Sequence, residues 1–246
     1  MGNASENRSS TKNTVSNTIM FLLLTLVIVT AVSYAWFSIN DRTNLNTMRM
    51  DITTGRTMRI DVDAHDDFEL YVNVLQFETI AARIHRDRGV DITRVPIEPV
   101  TTADGRNFTF EDGKPASADN GTYLDFTLHF RAMGDMYVHL TSTSTPNTNN
   151  GTRIWSNSNP DLQKAMRMSF EMPDGRIFTY DPGETDISGI TDGNMLFFLP
   201  KDTDIPVQVR IWIEGTDPEC NNRLKGLDYS VQMRFEGSDE NNNPLT

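Results

Sequence analysis

Cysteine is almost absent from this chain; Cys220 is the single one. An intrachain disulfide framework is therefore excluded, as is any multi-cysteine zinc or iron–sulfur site. Basic charge is also scarce. Lys plus Arg number 22 against 34 Asp plus Glu, a formal net charge of -12 over 246 residues. A general nucleic-acid binder needs clustered Lys and Arg to neutralise phosphates, so that class is set aside. No HExxH, G-x-S-x-G or P-loop occurs, which removes the commonest hydrolase and nucleotide signatures. The histidines are only four, His65, His85, His129 and His139. They form no three-ligand zinc spacing. With no nucleophile–base pair at recognisable spacing either, a non-enzymatic role is expected.

Long apolar runs are equally few, and the one present sets the address. Residues 1–18 are polar, with Arg8 and Lys12 as their only bases. Residues 19–38 read IMFLLLTLVIVTAVSYAWFS, and no charge occurs from Asn13 to Asn40. Twenty helical residues span roughly 30 Å, the hydrocarbon thickness of a bilayer. Two readings stand side by side. In one, 19–38 is a signal-peptide core cut before Trp36, with Ser33 and Ala35 as the small residues of the signal-peptidase site. In the other it is a retained membrane anchor, with Tyr34 and Trp36 as interfacial aromatics. Both leave 1–18 in the cytoplasm and the remainder outside. Without Arg8, Lys12 and Glu6, that remainder carries 20 basic and 33 acidic side chains. An acidic surface suits a cell-surface or secreted protein that stays soluble beside anionic lipid.

Beyond the run the pattern has period two. Met48, Met50 and Ile52 alternate with polar residues, as do Met58, Ile60 and Val62. The two stretches read as a hairpin or neighbouring strands. Phe68, Leu70, Val72 and Val74 give the next strand. FETIAARIHRDR (77–88) predicts a short helix stopped by Gly89. Residues 96–121 read as loop, with a short strand at Phe108–Phe110. Leu124, Phe126, Leu128 and Phe130 make the clearest apolar face, and Met136–Leu140 returns after a Gly134-Asp135 turn. Residues 141–160 are a polar low-complexity surface loop pinned by Ile154 and Trp155. Asn159-Pro160-Asp161 caps a short helix before Met166, Met168, Phe170 and Met172 alternate. Pro173-Asp174-Gly175 turns the chain into Ile177–Tyr180, and Leu196–Leu199 is a further short strand. Val207 to Ile213 and Leu227 to Phe235 are the last two strands, and 237–246 is a polar, frayed tail. The domain plan is thus 1–18, 19–38, an extracellular β-sandwich over 39–236, and 237–246. Many short strands without βαβ alternation predict an all-β, antiparallel sandwich. Val209, Ile211, Phe126, Leu128, Val231 and Met233 are its expected core.

The chemistry-bearing residues are few. Asp61, Asp63, Asp66, Asp67 and Glu69 form an acidic run whose alternate carboxylates offer oxygens to calcium. It lacks the Gly and terminal Glu of an EF-hand loop, and a solvated acidic turn is the simpler reading. Asp202 and Asp204 form a weaker pair. No other cofactor or metal is expected. His129 and His139 fall on successive strands and are expected on one outer surface. Cys220 lies among carboxylates that raise a thiol pKa, so a poor nucleophile held in loop packing is expected.

Two stretches carry a family resemblance. Ser33-Tyr34-Ala35-Trp36-Phe37-Ser38-Ile39-Asn40-Asp41 resembles the processing region of the TasA/camelysin family, Gram-positive surface and biofilm-matrix proteins exported with a SipW-type signal peptidase. VQVRIWIEGTDPECNNRLKGLDYSVQMRF (207–235), with its IW-x-EG-x-D-x-x-C loop, resembles the end of clostridial members. Together they cover about 40 residues. The resemblance implies a jelly-roll sandwich and an extracellular structural role. It also implies self-association into fibres, with the mature N-terminal segment given as a strand to the next subunit. Trp36, Phe37, Ile39 and Leu45 are the donor-strand candidates. Camelysin-type members are classed as metalloproteases, which makes a cell-surface protease the alternative. No zinc-protease signature here receives that role. A membrane-anchored ligand-binding module, using the loop at 141–160 or Trp155, is the third reading.

Overall fold

The computed structural model describes residues 18, 20–25, 45–52, 57–142, 151–187, 189–224 and 227–245, without the side chains of 45–52 and 222. Contacts divide the chain into Met1–Asn40 and Asp41–Thr246. In the first unit residues 20–25 are helical. Among the described residues no helix is long and apolar enough to cross a membrane. Most of the expected span 19–38 lies outside them.

Among its described residues the second unit has twelve strands in two six-stranded sheets, mostly antiparallel. One sheet holds β1 (Leu45–Ile52), β3 (Val74–Gln76), β6 (Met136–Leu140), β7 (Arg153–Trp155), β10 (Met195–Leu199) and β12 (Tyr229–Ser238). Its order is β10-β6-β12-β1-β3, with β7 also on β12. The other holds β2 (Met58–Asp61), β4 (Pro99–Val100), β5 (Leu124–Ala132), β8 (Met166–Glu171), β9 (Ile177–Tyr180) and β11 (Ile205–Glu214). Its order is β2-β5-β11-β8-β9, with β4 also on β11. Two pairings are parallel, β1 with β12 and β4 with β11.

Period-two alternation fixes which face of each strand is buried. Along β5 burial alternates from Leu124 to Ala132 without a break. Across the register Val207, Val209 and Ile211 face Leu128, Phe126 and Leu124. All six residues expected as core are buried, among them Val231 and Met233 from the opposite sheet. Phe130 and Phe170 of one sheet meet Phe235 of the other edge-on, at 4.9 and 5.8 Å between ring centroids. A smaller cluster of Val100, Phe108, Tyr123 and Trp212 closes the 96–121 loop onto the outer side of β11.

Helix α1 (Phe77–Arg88) follows β3 directly and buries Phe77, Ile80 and Ile84, one apolar stripe at helical spacing. Gly89 ends it in the left-handed region, φ 73°, with its N–H on the His85 carbonyl. Helix α2 (Pro160–Ala165) starts where expected, the Asn159 side chain accepting from the Asp161 N–H. Gly121, φ 75°, is more tightly bound to its conformation. A Cβ there meets Val95 at 2.6 Å and Val90 at 3.1 Å. Gly121→Ala is therefore expected to cost about 1–3 kcal/mol. A change within 0.5 kcal/mol in urea unfolding, on the order of surface substitutions, contradicts this.

Four expectations need correction. β1 and β2 are not a hairpin but belong to opposite sheets, and so do β5 and β6. Phe68–Leu70 is a 3-10 turn capped by Asp67, not strand. The residues buried nearby are Tyr71 and Leu75, whereas Leu70, Val72 and Val74 face outward. The tail does not fray. Ser238 bridges Pro244, Leu245 N–H reaches the Gly237 carbonyl, and the Asp239 carboxylate gathers the N–H groups of Asn241 and Asn243.

Candidate functional site

β1 occupies the most consequential place in the fold. It adds in parallel to β12, Leu45 opposite Tyr229 and Ile52 opposite Phe235, with a register shift between Leu45 and Thr47. On its other side only Arg49, Met50 and Asp51 pair, with Gln76, Leu75 and Val74. The inner side chains of the β12 stretch, Tyr229, Val231, Met233 and Phe235, are all buried. Without β1, that stretch becomes an unpaired sheet edge above the core. Leu45 is thus the first residue of the inserted strand. Ser33, Ala35, Trp36, Phe37 and Ile39 lie outside the described residues.

The acidic run is dispersed onto partners. Asp63 meets Arg83 and Arg86. The Arg86 hydrogen bond, with both guanidinium charges, holds the Asp63 carboxyl below its ordinary range. Glu69 meets Arg59 at 2.9 Å, and Asp67 is spent on the Glu69 N–H. Asp61 accepts from the Asp63 N–H and lies 3.6 Å from His65 Nε2. Asp66 is exposed. No group of three or more His, Cys, Asp or Glu is placed for a metal there. Sequence reasoning missed these partners because Arg83 and Arg86 lie one helix away in the chain.

The two strand histidines are separated, contrary to expectation. His129 points from β5, with Nδ1 2.8 Å from Asp204 Oδ2. Asp204 Oδ1 accepts from the Tyr71 hydroxyl at 2.7 Å, and that hydroxyl in turn accepts from the His65 N–H at 2.9 Å. Burial pushes the Tyr71 hydroxyl pKa up. The chain His129–Asp204–Tyr71–His65 ties the crossing segment before β3 to the opposite sheet. His139 is fully buried in the other sheet, between Thr191, Asn194 and Ser238.

A cleft of about 380 Å³ opens on the outer side of β8, β9 and β11, lined by Thr102, Asp104, Arg167, Thr179, Trp212 and Glu214. Its charges are committed internally. Arg167 bridges Asp181 at 2.9 Å and Asp217 at 2.5 Å. Glu214 takes the Trp212 indole N–H and the Thr216 hydroxyl, and Asp104 takes the N–H groups of Arg106 and Asn107. Cys220 packs at the edge of the main core. Burial first, then Asp217, Glu214 and Glu111, push its thiol up to about 11, so little thiolate exists at neutral pH. No family model, curated protein or solved structure matches the chain.

Proposed function

We propose that the protein is a non-enzymatic, cell-surface or extracellular structural subunit of jelly-roll type, akin to biofilm-matrix fibre subunits, that self-associates by giving its first strand to a neighbour. The observation that carries this reading is the insertion of Leu45–Ile52 beside β12. β1 is the first strand of its unit, and no disulfide can tie it down. It can leave its slot without unthreading the chain. The vacated edge then accepts the same segment from a second copy, in the same register and with the same ladder bonds. Apolar Trp36, Phe37 and Ile39 just upstream extend the donor. Export through 19–38 places the unit outside the cell, anchored if that segment stays.

Paired strands give a direct test. Arg49 lies opposite Gln232. With Cys220 replaced by Ser, Arg49→Cys protein is mixed with Gln232→Cys protein under mild oxidation. Donation between copies is expected to yield crosslinked heterodimers on a denaturing gel. Both substitutions in one chain lock β1 at home, and fibres seen by electron microscopy are expected to disappear. Crosslinking confined to the doubly substituted chain, at every concentration and pH tried, overturns strand donation.

A further inference from the structure

Arg153 stands apart in an acidic protein. Of the other arginines whose side chains are described, all except Arg131 and Arg223 lie within 3.1 Å of a carboxylate oxygen. Arg131 spends Nη1 on the His65 carbonyl, and Arg223 is exposed. Arg153 is half-buried, and its Nε is enclosed without a hydrogen-bond partner among the described residues. Burial pulls its pKa below the ordinary arginine value, with no opposing charge recorded. Among the described side chains nearby none supplies one. Residues 141–160 contain no Asp or Glu, Glu236 turns to Arg234, Asp161 turns to Lys164, and Asp228 accepts from the Ser158 hydroxyl.

The cation is nevertheless held in place. β7 pairs with β12, Arg153 opposite Gln232 and Trp155 opposite Ser230. Ile154 between them is buried inward, which puts Arg153 and Trp155 together on the outer side. The guanidinium lies over the Trp155 ring, 4.0 Å from its centroid. Such a stack satisfies the face of the guanidinium; with Nε enclosed, it leaves the terminal Nη1–Nη2 pair, a fork matched to two oxygens of one carboxylate. A desolvated cation without a counter-ion is costly, and an arriving oxyanion relieves that cost. Along the chain the Ser158 hydroxyl is spent on Asp228 and the Ser156 oxygen accepts from the Ser158 and Asn159 N–H groups, which leaves the Ser156 hydroxyl proton and the Asn157 amide as the polar rim.

We propose that the Arg153–Trp155 stack on β7 binds the carboxylate of an acidic polysaccharide, a uronate-type sugar. A single fork fits one carboxylate per sugar ring, and the hydroxyl and amide of the rim fit the ring hydroxyls. The protein's net charge of -12 opposes a polymer as densely charged as nucleic acid. This inference does not depend on strand donation.

The test titrates the full chain, in detergent, with oligogalacturonate, neutral oligogalactan and poly-glutamate, using calorimetry. Oligogalacturonate is expected to bind, more weakly as salt rises, and neutral oligogalactan is not. Arg153→Gln is expected to weaken binding at least about tenfold, since charge-assisted hydrogen bonds are lost. Arg153→Lys, which keeps charge and stem but not the fork, is expected to fall between the two and covers the case in which Arg153→Gln does not fold. Unchanged affinity in both variants, or equal binding of the neutral oligomer, overturns the proposal. Tighter binding of poly-glutamate than of oligogalacturonate overturns the sugar assignment in favour of an acidic peptide.

Discussion

Phe235→Ala is expected to be the most destabilising of the single substitutions considered, by about 3–5 kcal/mol. Phe235 is fully buried on β12 and meets Phe130 and Phe170 from the facing sheet. Truncation removes the large side chain that spans the two sheets and leaves a void lined by the two remaining rings. Neither ring sits at the end of its strand, so the site cannot collapse without shifting β5 or β8. The edge-to-face geometry adds to the loss, since such pairs contribute beyond the area they bury. For a domain of ordinary stability, a loss of this size consumes a large share of the total. Urea unfolding of the native and substituted proteins measures it. Phe178→Ala, on the edge strand β9 and only partly buried, serves as the comparison and is expected to cost less. A loss at Phe235 below that at Phe178 means that the two sheets are not joined where the aromatic rings place them.

The faces of the strands were legible in the sequence, and their assignment to sheets was not. Period-two alternation reports only that one side of a strand is buried. It marked the inner faces of Leu124 to Phe130, Met166 to Phe170 and Val207 to Ile213 correctly, although Ser169 and Trp212 are buried on the outer sides of β8 and β11 as well. It does not distinguish a hairpin from a crossing between sheets, and so β5 and β6 read as partners although they oppose each other across the core. β12 defeats the pattern differently. Ser230, Gln232 and Glu236 are buried as well as their apolar neighbours, and Gly151 and Thr152 lie beside β12 at the start of β7. There the Thr152 hydroxyl reaches the carbonyls of Thr141 and Arg234, and the Gln232 amide reaches the Gly151 carbonyl. Helix ends were legible because they rest on local chemistry, an αL glycine at 89 and a capping Asn159. The stretch 68–74 failed for the same kind of reason. Asp67 caps a 3-10 turn that shifts the phase, and Tyr71 is drawn inward, where its hydroxyl meets Asp204. Of the candidate site, Leu45 was legible as a strand-capable residue. Its parallel place beside β12 depends on contacts nearly two hundred residues apart and leaves no local mark. Arg-Ile-Trp at 153–155 did leave one, an island of charge and apolar bulk in an otherwise uncharged polar loop.

Acid sensitivity is expected to begin above the range in which carboxylates titrate, and to trace to His139. Its ring is fully enclosed between β6, the 3-10 turn Asp192–Asn194 and the end of β12. Nδ1 faces two acceptors, the Thr191 carbonyl at 3.1 Å and Asn194 Oδ1 at 3.3 Å, so the neutral ring carries its proton there. Nε2 lies 2.9 Å from the Ser238 hydroxyl, whose one proton is shared between Nε2 and the Asp239 carbonyl at 3.0 Å. Burial pulls the His139 pKa below the ordinary histidine value, outweighing the opposing hydrogen bonds and the charge of Asp192. Above pH 6.5 the ring is neutral in both folded and unfolded chains, and stability is at its full value. As pH falls below about 6.5 the unfolded chain takes up a proton that the folded chain refuses, and stability declines until the lower folded pKa is reached. One such proton sets a ceiling of about 1.4 kcal/mol per pH unit on that slope. Carboxylates held low by their partners, such as Asp63, Asp87 and Asp217, add their own losses below about pH 4. His139→Gln keeps polar atoms in the site but cannot titrate. Unfolding free energies measured from pH 7.5 to 5 are expected to fall for the native protein relative to this variant, which is less stable at neutral pH. Parallel curves for the two proteins across that window would remove His139 from the acid response.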